Sequence, residues 1–442
     1  MDDKKNKDEE SIEALSGVLP DGRTVGVITD VTTGRLRLVW FDGKEYHAEE
    51  RISIKGRTFV PPALDPAVQT AVTLPTKALD HGCTQNLFRA IAGLLIEFGM
   101  SPVATVVTYF LFSNWFPEPS LPAPCLIITG PGAEGALLLQ LLACLVRRGL
   151  PMVEIGSHGF RGLMQQFHPT VLLDARHFTS RSLQKLLASC GSCVFAPWKT
   201  SLTEFSCAKV VYVGPTLADD VPTDFALRVH LSPSPRGVPL LDGKRRDRII
   251  AALQPQLIDY YLRNLLAVRA SDFDLPDLDL EGRVIARSLG RCIVGAPEIQ
   301  AGVRSLLEGR DEELRSARWN DPVCAIIEAL LDQSHGPQPD GIYVGRVSEA
   351  AAAILKARGV SIKLSARSVG HSLRQLGFTP ERNGRGSRII VTSEVIRSIH
   401  GLARDYRVAA FEHGIALCDV CRDTFAAPDA DPGTDVHGEQ SP

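Results

Sequence analysis

The chain has 442 residues, enough for about three domains at roughly 100–200 residues apiece. Hydrophobic residues make up 44% and charged residues 22%, which excludes a largely disordered or collagen-like chain. The formal net charge of −3, from 48 basic and 51 acidic residues, singles out no partner on its own.

Residues 2–10, DDKKNKDEE, hold eight charges where a signal peptide needs an apolar run. The longest clean apolar stretch, Val103–Phe112, is far shorter than the ~18–20 residues that cross a bilayer. Ten cysteines are too sparse for a disulfide scaffold at this length. Together these features predict a reduced cytoplasmic protein without membrane contact.

In chain order, residues 1–15 read as a charged tail. A small β domain is expected over 16–62, where TVGVITDV, RLRLVWF, KEYHAEERISI and RTFV are strand-like runs separated by TTG and FDGK turns. A helical segment follows over 63–120, beginning at a Pro61-Pro62 and Asp65-Pro66 linker; Asn86–Phe98 repeats apolar residues at helical spacing. Residues 121–235 change rhythm. CLIITG, MVEI, TVLLDA, CVFAPW, AKVVYVG and FALRVHL read as strands, and LLLQLLACLVRR, GLMQQF and SLQKLLASC as helices. That alternation predicts an α/β domain on a mostly parallel sheet. A second helical segment over 236–320, a compact module over 321–410 and a polar tail over 411–442 complete the chain.

The run from Cys125 to Ile155 carries the most chemistry. An apolar strand leads into GPGAEG, which leads into an apolar helix, an arrangement that turns backbone N–H groups toward a phosphate. Two motifs fit it. A phosphate-binding P-loop, G-x-x-x-x-G-K-[ST], matches at Gly130 and Gly135, but Ala136 stands at its lysine position and Leu137 at its hydroxyl position. The dinucleotide fingerprint G-x-G-x-x-G matches at Gly130, Gly132 and Gly135, with Glu154 nineteen residues further on as a ribose-binding acid.

Downstream, Asp174 ends the strand TVLLDA, where a Walker B aspartate would hold Mg²⁺, but Ala175 replaces the glutamate that activates water. Residues 100–234 as a whole, from YFLFSNWFPE through FALRVHLSP, resemble the P-loop ATPase domain of primase-helicase-like proteins of phages, plasmids and bacterial genomes. The resemblance lies in the order of elements and covers about a third of the chain. It implies a nucleotide site at Gly130, Gly132, Gly135 and Asp174, and an arginine finger where this chain has Phe225. Lysine, hydroxyl, glutamate and arginine are all replaced, and phosphoryl transfer depends on such charges. The expectation is a degenerate P-loop domain, a pseudo-ATPase without cofactor, with residual nucleotide binding left open.

The module over 321–410 has a second signature. Helix, short strand GIYVGRV, helix, helix ARSVGHSLRQLG and a hairpin around Arg382-Asn383-Gly384-Arg385-Gly386 follow in the order of a winged helix. The module also resembles the C-terminal domain of the same primase-helicase-like proteins. Between Gly341 and Val408 there are twelve Lys and Arg against four Asp and Glu, so the rest of the chain carries a balance of −11. Such asymmetry suits a nucleic-acid-binding module in an acidic protein. Arg367, His371 and Arg374 fall on one face of the second-last helix, with Val369, Leu373 and Leu376 toward the core. Arg382, Arg385 and Arg388 sit on or beside the hairpin, where phosphates are usually met.

The Cys190/Cys193 and Cys418/Cys421 pairs have zinc-ligand spacing, but 224 residues separate them and coincidence is the simpler reading. The sequence thus predicts a multidomain α/β protein that binds double-stranded DNA or assembles within a replication or mobile-element system, without catalysis of its own. Self-association is left open. The alternative is a nucleotide- or dinucleotide-dependent enzyme that uses GPGAEG.

Overall fold

The computed structural model describes residues 10–116, 124–152, 167–179, 187, 195–198, 201–204, 207–216, 225–336, 341–406 and 408. They fall into two units, residues 1–308 and 309–442. The described parts of the expected segments up to 235, and most of the next, share the first unit.

That unit begins with seven short strands: β1 (Glu10–Glu13), β2 (Gly17–Val18), β3 (Thr24–Thr29), β4 (Leu36–Phe41), β5 (Tyr46–Glu49), β6 (Ile52–Ile54) and β7 (Arg57–Val60). They make two sheets, in the orders β2-β3-β4-β5 and β1-β7-β6. Aspartates set the hairpin turns. Asp30 accepts from the amides of Thr32 and Thr33, and Asp42 from those of Lys44 and Glu45, so each side chain closes its own turn. Two expectations are corrected here. Glu10–Glu13, placed in the charged tail, is a strand paired in parallel with β7. KEYHAEERISI is two strands rather than one, β5 and β6, which belong to different sheets.

Helices α1 (Pro66–Ala71), α2 (Thr84–Glu97) and α3 (Ala104–Asn114) lead to the central sheet. Its strands are β8 (Cys125–Thr129), β9 (Gly149–Met152), β10 (Thr170–Asp174), β13 (Lys209–Tyr212) and β14 (Leu227–His230), with α4 (Gly132–Leu145) after β8. All pairings are parallel, in the order β14-β8-β13-β10-β9. Between β10 and β13 lies a separate antiparallel pair, β11 (Phe195–Trp198) and β12 (Ser201–Glu204). The chain is therefore mixed α/β with a parallel five-stranded sheet.

Parallel strands covered on both faces read as continuous apolar runs, as these do. Leu126, Ile128, Leu172, Val210 and Val229 join the large core that also holds α2, α3 and α4. Cys125, Ile127, Val171, Leu173 and Val211 form a second core on the other face. Helices α5 (Gly243–Ala270), α6 (Leu280–Gly290) and α7 (Pro297–Trp319) follow, and α5 and α6 complete the large core. Buried Gln254 of α5 donates to the Cys144 and Val146 carbonyls, which satisfies the C-terminal end of α4. The β layer shares this core through Ile28 and Val39. A Cβ added at Gly26 of β3 would come within 3.2 Å of Ile258, so the small β domain expected over 16–62 is built onto α5.

The second unit contains α8 (Pro322–Ser334), β15 (Ile342–Tyr343), α9 (Val344–Ala357), α10 (Ala366–Gln375), β16 (Glu381–Asn383), β17 (Gly386–Ile389) and α11 (Ser393–Asp405). Its sheet has the order β15-β17-β16. Ile326, Leu330, Val347, Leu355, Val369, Leu373 and Ile399 make its own core. Ser365 caps α10 through the Ser368 amide, and Ser368 answers through the Ser365 amide, a reciprocal cap that fixes where α10 starts. Here too a boundary moves. GIYVGRV is strand only at Ile342–Tyr343, and helix α9 begins at Val344, which makes Arg346 helical.

Candidate functional site

At the β8–α4 junction the glycines serve packing. Helix α4 begins at Gly132, so only Gly130 and Pro131 separate it from the end of β8. GPGAEG is therefore mostly helix rather than a loop wrapped around a phosphate. Gly130 has φ +125°, and a Cβ there would come within 2.5 Å of the Leu231 carbonyl oxygen. A Cβ at Gly135 would meet the Tyr212 ring at 2.4–2.6 Å, and one at Gly132 would lie 3.1 Å from Arg176. Tyr212, fully buried at the end of β13, donates its hydroxyl to the Gly130 carbonyl at 2.8 Å.

Asp174 ends β10 on the same carboxyl edge of the sheet, where α/β folds place their ligands. Its carboxylate is already engaged: Arg176 Nε donates to Oδ1 at 2.9 Å and Nη2 to Oδ2 at 2.6 Å. That fork holds Asp174 below the ordinary carboxylate range. The same guanidinium lies 5.4 Å from the centre of the Tyr212 ring. In the first turn of α4, Glu134 accepts from the Ser234 amide at 2.8 Å, and that bond keeps its carboxyl low and charged. Ala136 and Leu137 lie within α4. This edge offers an ion pair, a tyrosine ring and a second carboxylate where a nucleotide would need a lysine and a metal ligand. Phe225, at the arginine-finger position, is non-glycine with φ +59° just before β14.

Strand order also bears on the dinucleotide alternative. A dinucleotide fold sets the strand before the glycine turn beside the strand before the ribose acid. Here β8 is flanked by β14 and β13, and β9 lies beyond β13 and β10, roughly 14 Å away at ~4.8 Å per strand. Glu154 itself lies outside the described residues, as do Cys190, Cys193, Cys418 and Cys421.

Among the described residues one group brings three residues of metal-ligating type within 4.8 Å: Asp80, His81 and Asp259. Asp259 has no exposed side-chain surface, and its oxygens accept from Tyr46 (2.7 Å), Arg263 Nε (2.6 Å), the His81 amide (2.8 Å) and His81 Nδ1 (2.6 Å). Burial alone would raise this carboxyl, but the donors outweigh it and hold it low. Burial pushes the Tyr46 phenol up to about 12. A cation here would have to displace the Arg263 guanidinium, so the group is a buried ionic hub joining β5, the segment before α2, and α5. Sequence reading missed it because Tyr46, His81, Asp259 and Arg263 share no local motif.

The second unit holds a groove of about 910 Å³. Arg346 of α9, Arg367 and Arg374 of α10, Arg382 of β16 and Arg385 of the hairpin turn line it, together with one acid, Glu349. Four of the sequence-derived residues thus meet in one place. His371 is exposed on α10, and Arg388 is half-buried on β17, paired in register with Tyr343 and Glu381; neither lines the groove. Arg346 was missed because its run was read as strand, where it had no reason to face α10. Gly370 of α10 faces Val344 at the start of α9, where an added Cβ would make only ordinary contact at 3.7 Å. Arg358 is the counter-example: it stacks 3.9 Å from the centre of the Trp319 ring and pairs with Glu328 inside the unit.

No helix among the described residues is long and apolar enough to cross a membrane. No protein-family model and no curated protein matches the chain. Among solved structures, it is similar to an apo form of the NrS-1 C-terminal region, with 10% identity, 83% of this chain and 97% of that one covered, and a TM-score of 0.32. It is also similar to a full-length MCM homolog from Methanopyrus kandleri (12% identity, 66% and 74% covered, TM-score 0.30). A third is Cdc6p from Pyrobaculum aerophilum (14% identity, 70% and 95% covered, TM-score 0.19). The function proposed below therefore rests on this chain's own residues.

Proposed function

We propose that the chain is a non-catalytic, duplex-DNA-binding protein of a replication or mobile-element system. In this reading the second unit is a winged helix that holds DNA in its arginine groove. The first unit is a P-loop-type scaffold that has given up nucleotide hydrolysis. The observation that carries the proposal is the groove, where five arginines from α9, α10 and the hairpin converge around a single carboxylate. Guanidinium groups on a helix beside a hairpin suit the phosphates and base edges of a duplex. The groove has one aromatic residue, Tyr343, and its hydroxyl already accepts from Asn383 at 3.3 Å. That is poor provision for stacking unpaired bases and favours a duplex over a single strand. In the first unit, the Arg176–Asp174 fork supports the loss of hydrolysis, since it engages the carboxylate a metal would need, and the Tyr212 hydroxyl occupies the Gly130 carbonyl beside it.

The test is the salt dependence of binding by the full chain to random duplex DNA. Each arginine that meets a phosphate adds about −0.9 to the slope of log K against log salt, so the five set a limit near −4.5 and each one that reads a base instead flattens it. Replacing Arg382 and Arg385 with alanine should weaken binding to all sequences alike and flatten the slope by about 1.8. A folded protein that does not bind duplex DNA at about 50 mM salt would refute the proposal.

A further inference from the structure

Glu349 is out of place in a surface built for phosphates. It stands on α9 three residues after Arg346, exposed, in the same groove wall as five arginines. Among the described residues it forms no ion pair with any of them. Elsewhere in the chain arginines near acids do close such pairs, as Arg358 does with Glu328 and Arg176 with Asp174. A carboxylate in this position repels every phosphate that the arginines attract, so it weakens sequence-independent binding. Its own chemistry is that of an acceptor only. Five guanidinium groups supply donors alone, which leaves Glu349 as the groove's charged acceptor.

On the reading that this groove holds duplex DNA, we infer that Glu349 is its specificity-determining residue and accepts a hydrogen bond from the exocyclic amino group of a cytosine in the major groove. Carboxylates match the N4 amino group of cytosine, whereas the N7 and O6 acceptors of guanine repel them and suit arginine. Arg367, Gly370 and Arg374 of α10 line the same groove, so donors for neighbouring guanines stand near this acceptor. The two groups act with opposite signs. The arginines strengthen binding to any duplex, whereas Glu349 weakens it everywhere except on sequences that offer the amino group.

The test is selection of bound duplexes from a random library by the full chain and by the Glu349→Gln and Glu349→Ala variants. The wild-type chain is expected to enrich sequences with a fixed C·G pair, preferred about 5-fold over its replacements, the lower end for a base-edge contact because the bond is single. Glu349→Gln should move the preference at that position to adenine, which an amide reads through N6 and N7. Glu349→Ala should erase it and raise affinity for unrelated duplexes about two- to threefold, as like-charge repulsion is removed. A merely structural glutamate would produce neither the switch nor the gain. Salt-dependent binding with no enriched sequence, or an unchanged sequence in both variants, would overturn this inference and leave the groove as a DNA site. Absence of salt-dependent binding would overturn both.

Discussion

Replacing Gly135 with alanine separates a packing glycine from a phosphate-binding one. The added Cβ would lie 2.4–2.6 Å from three ring atoms of Tyr212. Ordinary carbon contacts are about 3.5–4.0 Å, so the ring and α4 must part by roughly 1 Å. Neither side yields easily. Tyr212 is fully buried with its hydroxyl on the Gly130 carbonyl, and Leu138, Leu141 and Leu142 seat α4 in the core. Overpacking of this kind costs about 1–3 kcal/mol, and the two fixed partners favour the upper half of that range. Alanine gains about 1 kcal/mol over glycine inside a helix. The net expectation is a destabilisation of about 1–2 kcal/mol, read as a lower urea midpoint at unchanged slope by tryptophan fluorescence. In a Tyr212→Leu background the ring is gone and only the helix gain remains. The same substitution should then be neutral or stabilising, by up to about 1 kcal/mol. The reasoning fails if Gly135→Ala leaves the midpoint unchanged in the wild-type background, because a glycine kept for a phosphate would show no coupling to Tyr212.

With Mg²⁺ present, ATP and GTP should not be hydrolysed above background, and Asp174→Ala should change nothing in a phosphate-release assay; turnover abolished by Gly130→Asp would contradict this. His335 and His400 of the second unit share a contact at 3.1 Å between their Nε2 atoms, and His400 Nδ1 faces the Ile396 carbonyl at 2.7 Å. His400 Nδ1 donates to that carbonyl, and one of the two facing Nε2 atoms must accept, so the two rings cannot both be protonated while the contact holds. Burial, and then His400, hold the His335 imidazole below its ordinary range, against a smaller opposing pull from Asp332. A histidine depressed in the folded state binds more protons when unfolded, so its contribution is full above about pH 6.5 and declines as pH falls below that. Urea midpoints of the second unit should drop between about pH 7.5 and 5.5, and His335→Gln should flatten that decline.

The central strands were legible because burial on both faces leaves little choice of residue. CLIITG, TVLLDA, AKVVYVG and FALRVHL all contain strands of the central sheet. β9 begins at Gly149, ahead of MVEI, whose last three residues lie outside the described ones, and it includes Pro151, which an edge strand tolerates. GPGAEG misled for a physical reason. A glycine kept for a phosphate and one kept for a neighbouring ring look alike until the ring is seen, and Tyr212 is distant in sequence. Strand order, which brings β13 between β8 and β10, is likewise absent from local pattern. At the groove, Arg367, Arg374, Arg382 and Arg385 could be found from helical spacing and hairpin residues. Arg346 could not be placed there, because that required α9 to start at Val344, and Glu349, although within the expected helix, had no local pattern to say which face meets α10.

The hub at Asp259 determines where this chain can be cut. Its donors come from residues 46, 81 and 263, and Arg263 also lies 4.2 Å from the centre of the Phe41 ring. Pro61-Pro62 looks like a natural seam, yet a polypeptide beginning there would lose Tyr46 and Phe41 together. A carboxylate that water does not reach would be left one donor short, and Arg263 would lose its aromatic cover. Recombination could not exchange the first sixty or so residues for a foreign module without also rewriting α5. The β layer and that helix must be inherited as a pair.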